Sequence, residues 1–138
     1  MVYLTRRTTF SAAHRLWSEH LTDAENYAIY DKCANPNGHG HNYILEITVR
    51  GWPDERTGMI LNLTDLKEAI ENAIIKWVDH KHLNYDVPWL EGIIPTVEML
   101  TVVFWRQLEK ELPAGLLYEV KLQETENNLA SYRGEQQA

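Results

Sequence analysis

Residues 2–10 (VYLTRRTTF) are rich in Val, Tyr, Thr and Phe, and from Asn42 to Trp52 apolar Tyr43, Leu45, Ile47 and Val49 alternate with Glu46, Thr48 and Arg50. A period of two in such residues predicts half-buried strands at both places. From Leu63 the spacing changes to three and four, with Leu66, Ile70, Ala73, Ile74 and Trp77 on one stripe. That pattern predicts an amphipathic helix capped by Asn62 or Thr64 and ending near Asp79-His80. A second helix is predicted from Thr96, directly after Pro95, to about Leu112, where Pro113-Ala114-Gly115 stops it. Its Met99–Trp105 segment is apolar nearly all round except for Thr101, so burial on more than one face is expected. Alternation returns with Tyr118, Val120 and Leu122 against Glu119, Lys121 and Gln123. Asn127-Asn128 can then supply the positive-φ residues of a tight hairpin before a last strand over Leu129 to Arg133.

The predicted order is ββααββ, which argues for an α+β layer: a four-stranded antiparallel sheet with both helices on one face. Between the first two strands, Ser11 to Gly40 has no period and ends in Asn35-Pro36-Asn37-Gly38. An aperiodic stretch of that length in a compact domain reads as a functional loop. It holds three of the six His and the only Cys.

Composition narrows the function classes. A chain of 138 residues accommodates one domain, 1–138, around one core. The net charge of −7 leaves no broad basic field for nucleic acid or anionic lipid, so a phosphorylated ligand must be held by a few local groups. The apolar runs are too short to cross a bilayer and the N-terminus lacks a signal-peptide core, so a soluble, cytoplasmic protein is expected. A lone Cys excludes an intrachain disulfide and directs attention to Cys33 and the histidines.

His39-Gly40-His41 projects two imidazoles from one side of an extended backbone, with a glycine removing bulk between them. If the first two strands pair as a hairpin, His14 comes beside them, and three imidazoles leave a tetrahedral ion one open position. The competing reading of His14 is a core or capping histidine. Cys33 lies close enough in sequence to share that pocket, where a nearby cation would lower its pKa; a small buried hydrophobe is the alternative. Asp79 can orient His80 only if the helix has ended there or a third group bridges them, since adjacent helical residues diverge; the alternative is a solvated helix terminus. Glu124 continues the parity of Val120 and Leu122, and an inward carboxylate is either a ligand anchor or a guard on a sheet edge. An acid there could grip a ring with adjacent N–H donors. His20 and His82 have no nameable partner and read as surface residues.

The set FSAAHRL, Cys33-x5-HGHNY, NLTDLK, DHKHLN, PTVE and ETENN resembles, in order and over nearly the whole chain, the 6-pyruvoyl-tetrahydropterin synthase family. The resemblance implies a tunnelling fold in which three subunits join their sheets into a barrel and two trimers form a homohexamer. It implies that His14, His39 and His41 bind zinc and that Cys33 is the general base. Asp79 and His80 of a neighbouring subunit would complete the relay, and Glu124 would anchor the pterin, with Thr96 nearby. The implied reaction converts 7,8-dihydroneopterin triphosphate to 6-pyruvoyl-tetrahydropterin with loss of triphosphate, Zn2+ being the cofactor and Mg2+ an optional companion of the triphosphate. Arg15, Lys32 and Lys81 are candidates to meet that polyanion. Ala13 and Val97 stand where some members have Ser and Thr, and the five-residue gap between Cys33 and His39 resembles the biopterin-forming branch. The alternatives are a 6-carboxytetrahydropterin synthase of the queuosine pathway and a non-enzymatic zinc- or pterin-binding oligomer.

Overall fold

The structure is a computed structural model that describes residues 1–135; the last three residues of the domain expected over 1–138 lie outside the described residues. Two long strands, β1 (Val2–His14) and β2 (His39–Gly51), pair antiparallel with Phe10 opposite Tyr43, Ala12 opposite His41 and His14 opposite His39. β4 (Leu117–Thr125) pairs with β2, and β5 (Asn128–Tyr132) with β4. These are the four antiparallel strands expected. A two-residue strand, β3 (Lys81–His82), adds a fifth by pairing parallel to β1 at Ala12 and Ala13, giving the order β3-β1-β2-β4-β5. Two residues are too few for an alternating pattern to register, so β3 left no trace in the periodicity.

The apolar face of the sheet, with Phe10, Ala12, Tyr43, Leu45, Ile47, Val120 and Leu122 all buried, meets the helices in one core. Phe10 stacks on Tyr43 at 4.7 Å between ring centroids and meets Phe104 of α4 (Val97–Glu109) edge-on at 5.9 Å. Along α4, Leu100, Thr101, Val103, Phe104 and Leu108 are buried, and the hydroxyl of Thr101 donates to the Glu98 carbonyl at 2.7 Å. That internal bond is what lets a hydroxyl sit in the core.

The other helical segment departs from the predicted stripe. α2 (Leu63–Ile70), capped by Asn62 as expected, runs into a π-helical turn, Glu71–Ile75, and then a short α3 (Lys76–Val78). The wide turn absorbs an extra residue, so Val78 is buried where the regular period had placed Trp77, which is 37% exposed. The aperiodic Ser11–Gly40 stretch is likewise more ordered than its pattern: it contains the end of β1, α1 (Asp23–Tyr30) and a 3-10 turn, Asp31–Ala34. Thr22 and Glu25 close α1 with a reciprocal capping box, a signal that its low amphipathicity hid. Asn26, fully buried, ties the helix to the Ser18 backbone in both directions. The β4–β5 turn also differs from expectation. Neither Asn127 nor Asn128 has a positive φ; the hydroxyl of Thr125 instead accepts from the Asn127 N–H at 3.2 Å.

Candidate functional site

The β1–β2 register brings His14 and His39 face to face and places His41 two pairs further along, on the same side. Their ligand nitrogens all lie within 4.8 Å of one another. The Nδ1–H of His14 donates to the Pro95 carbonyl at 2.8 Å, which leaves the Nε2 lone pair directed at Nε2 of His39, 3.1 Å away. Nδ1 of His39 and Nε2 of His41 are buried without a hydrogen-bond partner among the described residues. Burial, with the neighbouring imidazoles adding to it against the Pro95 bond, pushes the His14 pKa down to about 4, and burial pushes that of His39 down as well. Three imidazoles with ligand nitrogens this close together, and buried nitrogens left unpartnered on His39 and His41, are what a cation with nitrogen ligands requires. The donor set fits a metal ion.

Glu124 borders this centre. Its two carboxylate oxygens lie 3.9 Å from Nε2 of His14 and of His41. The inward direction expected from strand parity is therefore observed, and the β4–β5 register slips between Gln123 and Thr125, leaving Glu124 without an opposite residue. Glu124 and Thr96 line one cleft of about 560 Å³, together with Tyr30 and Glu98. Glu98 went unremarked in the sequence because an acid in the first turn of a helix has an ordinary electrostatic reason to be there. Thr96 also caps α4, accepting from the Met99 N–H at 3.1 Å.

Cys33 sits half-buried in the 3-10 turn, and its carbonyl accepts from the Leu16 N–H at 2.8 Å, tying the turn to the end of β1. Within the chain, burial, then the charges of Glu124 and Asp31, push the thiol up; the lowering expected of it is that by a nearby cation. A cation beside the thiol would act against that upward push.

At the opposite border of β1, Asp79 and His80 do face each other, with His80 Nδ1 3.0 Å from Asp79 Oδ1. The helix has ended: Asp79 is extended and His80 has a φ of 62°. Ser11 holds the pair by donating its N–H to Asp79 Oδ1 at 3.0 Å and accepting the His80 N–H at 2.6 Å. The side chain of His80 is 81% exposed. His80 and Lys81 line a second cleft, of about 490 Å³, with Ser11 and Asn42. Arg15 is engaged elsewhere, donating from Nε to the Ala34 carbonyl at 2.9 Å and stacking 4.0 Å over Trp17; Lys32 is exposed.

Two expectations need correction. His82 is not a plain surface residue: it is half-buried, which pushes its pKa down, and Nδ1 accepts from the Asn84 N–H at 3.3 Å. Gly40 clears no space around the imidazoles, because a Cβ there would meet only the Ala12 carbonyl at 3.6 Å.

The chain matches the 6-pyruvoyl tetrahydropterin synthase family over residues 3–135. It belongs to that family. It is similar to the 6-pyruvoyl tetrahydrobiopterin synthases of Homo sapiens, 50% identical over 96% of this chain and 91% of that one, and of Drosophila melanogaster, 54% identical over 97% and 80%. The solved Caenorhabditis elegans 6-pyruvoyl tetrahydropterin synthase is 38% identical and superposes with a TM-score of 0.93, covering 97% of this chain and 96% of that one. Membership carries the tunnelling fold and a lyase-type activity of the pterin synthases. No helix among the described residues is long and apolar enough to cross a membrane.

Proposed function

We propose that this family member converts 7,8-dihydroneopterin triphosphate to 6-pyruvoyl-tetrahydropterin, eliminating triphosphate and shifting the oxidation level within the substrate, so that no nicotinamide is needed. The observation that carries the reading is the cluster of His14, His39 and His41 with a carboxylate at its border and a thiol in the adjacent turn. Zn2+ held by the three imidazoles would supply Lewis-acid polarisation of the substrate side-chain hydroxyls and acidify the neighbouring C–H bonds.

The chain's own residues do the rest. His14, fixed as the Nδ1–H tautomer by Pro95, presents Nε2 as a ligand atom. Cys33 accepts the proton that leaves carbon, and a cation beside it would lower the thiol pKa against the upward push of burial and of Glu124 and Asp31. Asp79 holds the His80 ring, and His80 returns a proton at another position. Its exposure suits service in a neighbouring subunit's site, within a homohexamer built from two trimers. Glu124 and Thr96, on the walls of one cleft, grip the pterin, with Glu98 a second acid within that cleft. Lys81, beside His80, is the base best placed to meet the triphosphate, which Mg2+ can accompany. The similarity to animal 6-pyruvoyl tetrahydrobiopterin synthases supports the biopterin branch over a carboxypterin product, and a cytoplasmic location suits the soluble substrate.

Incubation with dihydroneopterin triphosphate, followed by product chromatography, tests the reading. Triphosphate and the pyruvoyl compound are expected, with loss on chelation and recovery with zinc. A chelated protein that stays active, or a 6-carboxy product with acetaldehyde, would sink it.

A further inference from the structure

The turn that delivers His39 closes at Gly38, whose N–H donates to the Asn35 carbonyl at 2.8 Å and whose φ is 75°. A Cβ at this position would lie 2.9 Å from the backbone carbonyl oxygen of His14 and 2.8 Å from Nε2 of His82. Real Cβ atoms do not approach that closely, so the absence of a side chain is required twice over, by conformation and by space. The first wall belongs to a metal-site residue's own backbone. The second is the tip of the His82 side chain: β3 pairing sets the residue beside Ala13, Asp86 Oδ2 accepts its backbone N–H at 2.8 Å, and Tyr85 lies against the ring at 4.4 Å between centroids.

We propose that Gly38 is a positioning residue for the three-imidazole centre, its bare Cα seated between the His14 carbonyl and the His82 ring so that His39 starts its strand opposite His14. The inference rests on reading that centre as a metal site. Displacing Gly38 outward moves His39, the next residue, and opens the 3.1 Å approach of its Nε2 to that of His14. His82 thereby gains a role as the movable wall of the seat, whereas the His14 carbonyl is the fixed one.

Zn2+ affinity, measured by competition with a chromogenic chelator, and the visible ligand-field spectrum of Co2+ in the full chain provide the test. Wild type is compared with Gly38→Ala, Gly38→Asn and the double variant Gly38→Ala, His82→Ala. Asn tolerates a left-handed φ, so Gly38→Asn isolates the collision from the conformational preference. Both single variants are expected to bind Zn2+ at least about tenfold more weakly, as loss of an orienting neighbour does, with shifted Co2+ bands and an unchanged far-ultraviolet dichroism. The double variant is expected to regain part of the loss. Wild-type affinity in Gly38→Asn, or a double variant no better than Gly38→Ala, would overturn the proposal. Should Gly38→Ala fail to fold, a folded, metal-binding double variant supports the seat and an unfolded one overturns it. A wild-type chain without affinity for either ion would instead refute the metal reading itself.

Discussion

His14 is 1% exposed and sits where two other imidazoles and a carboxylate converge, so its protonation is coupled to the integrity of the fold. In the unfolded chain it takes a proton below its ordinary value of 6.5; in the folded chain it does so only near 4. Between those values the unfolded state binds more protons, so the stability of the metal-free chain is full above the upper value and falls as pH drops through the window. Over that span His14 alone withdraws roughly 3 kcal/mol. Urea unfolding at pH 7 and pH 4.5 should show the loss in wild type and a smaller one in His14→Gln; equal losses would refute the coupling. Cys33 behaves differently. Cys33→Ala should lower turnover by about two to four orders of magnitude, the usual worth of a positioned base, while Zn2+ affinity stays at the wild-type level. A parallel fall in Zn2+ affinity would make the thiol a ligand instead. Site residues of this kind were legible in the sequence because His, Cys and inward acids are conspicuous by type. Glu98 and His82 were not, since their significance lies in which residues the fold sets beside them.

Among the elements, the strands were the most legible. Tyr43, Leu45, Ile47 and Val49 alternate and are all fully buried, because a period of two leaves a half-buried strand no other way to hide its apolar set. The helices were legible in place but not in phase. An extra residue in the π turn is invisible to a 3.6-residue template, and the predicted stripe therefore ended on Trp77 rather than Val78. α1 escaped notice because a capping box, one buried Asn and the contact of Tyr27 with Trp17 hold it, and no apolar stripe marks it. Helix α4 yields a prediction at this scale. Thr96 is both its N-cap and part of the Glu124 cleft wall, so Thr96→Ala should cost about 1 kcal/mol in urea unfolding and also raise KM for the pterin substrate. Thr96→Ser should restore the stability. An unchanged KM in both variants would confine this threonine to capping.

The whole molecule is a sheet with two open borders. Among the described residues, β3 covers β1 only at Ala12 and Ala13, so the stretch from Val2 to Phe10 has an unpaired outer edge there, and β5 forms the other border. Such edges invite pairing with further copies, in keeping with the proposed closure of three sheets into a barrel and with a relay that crosses between subunits. If Cys33 and His80 act from different chains, mixing two inactive proteins should create working sites. Co-assembly of Cys33→Ala with His80→Ala, after unfolding and refolding together, is expected to give activity well above either parent. Activity that never exceeds the parents would place both residues in one chain.

The π turn between Ile70 and Lys76 also bears on the history of the chain. Each residue of an α-helix turns the backbone by about 100° and advances it about 1.5 Å, so a single inserted codon between Ile70 and Lys76 rotates everything that follows. Here the rotated portion leads to Asp79, whose carboxylate accepts the Ser11 N–H at 3.0 Å. A lineage losing that codon would keep its helix, its hydrophobic content and its apparent motif, and would lose the alignment of the Asp79-His80 pair. Gaps in this short stretch are therefore worth more to a reader of genomes than substitutions within it.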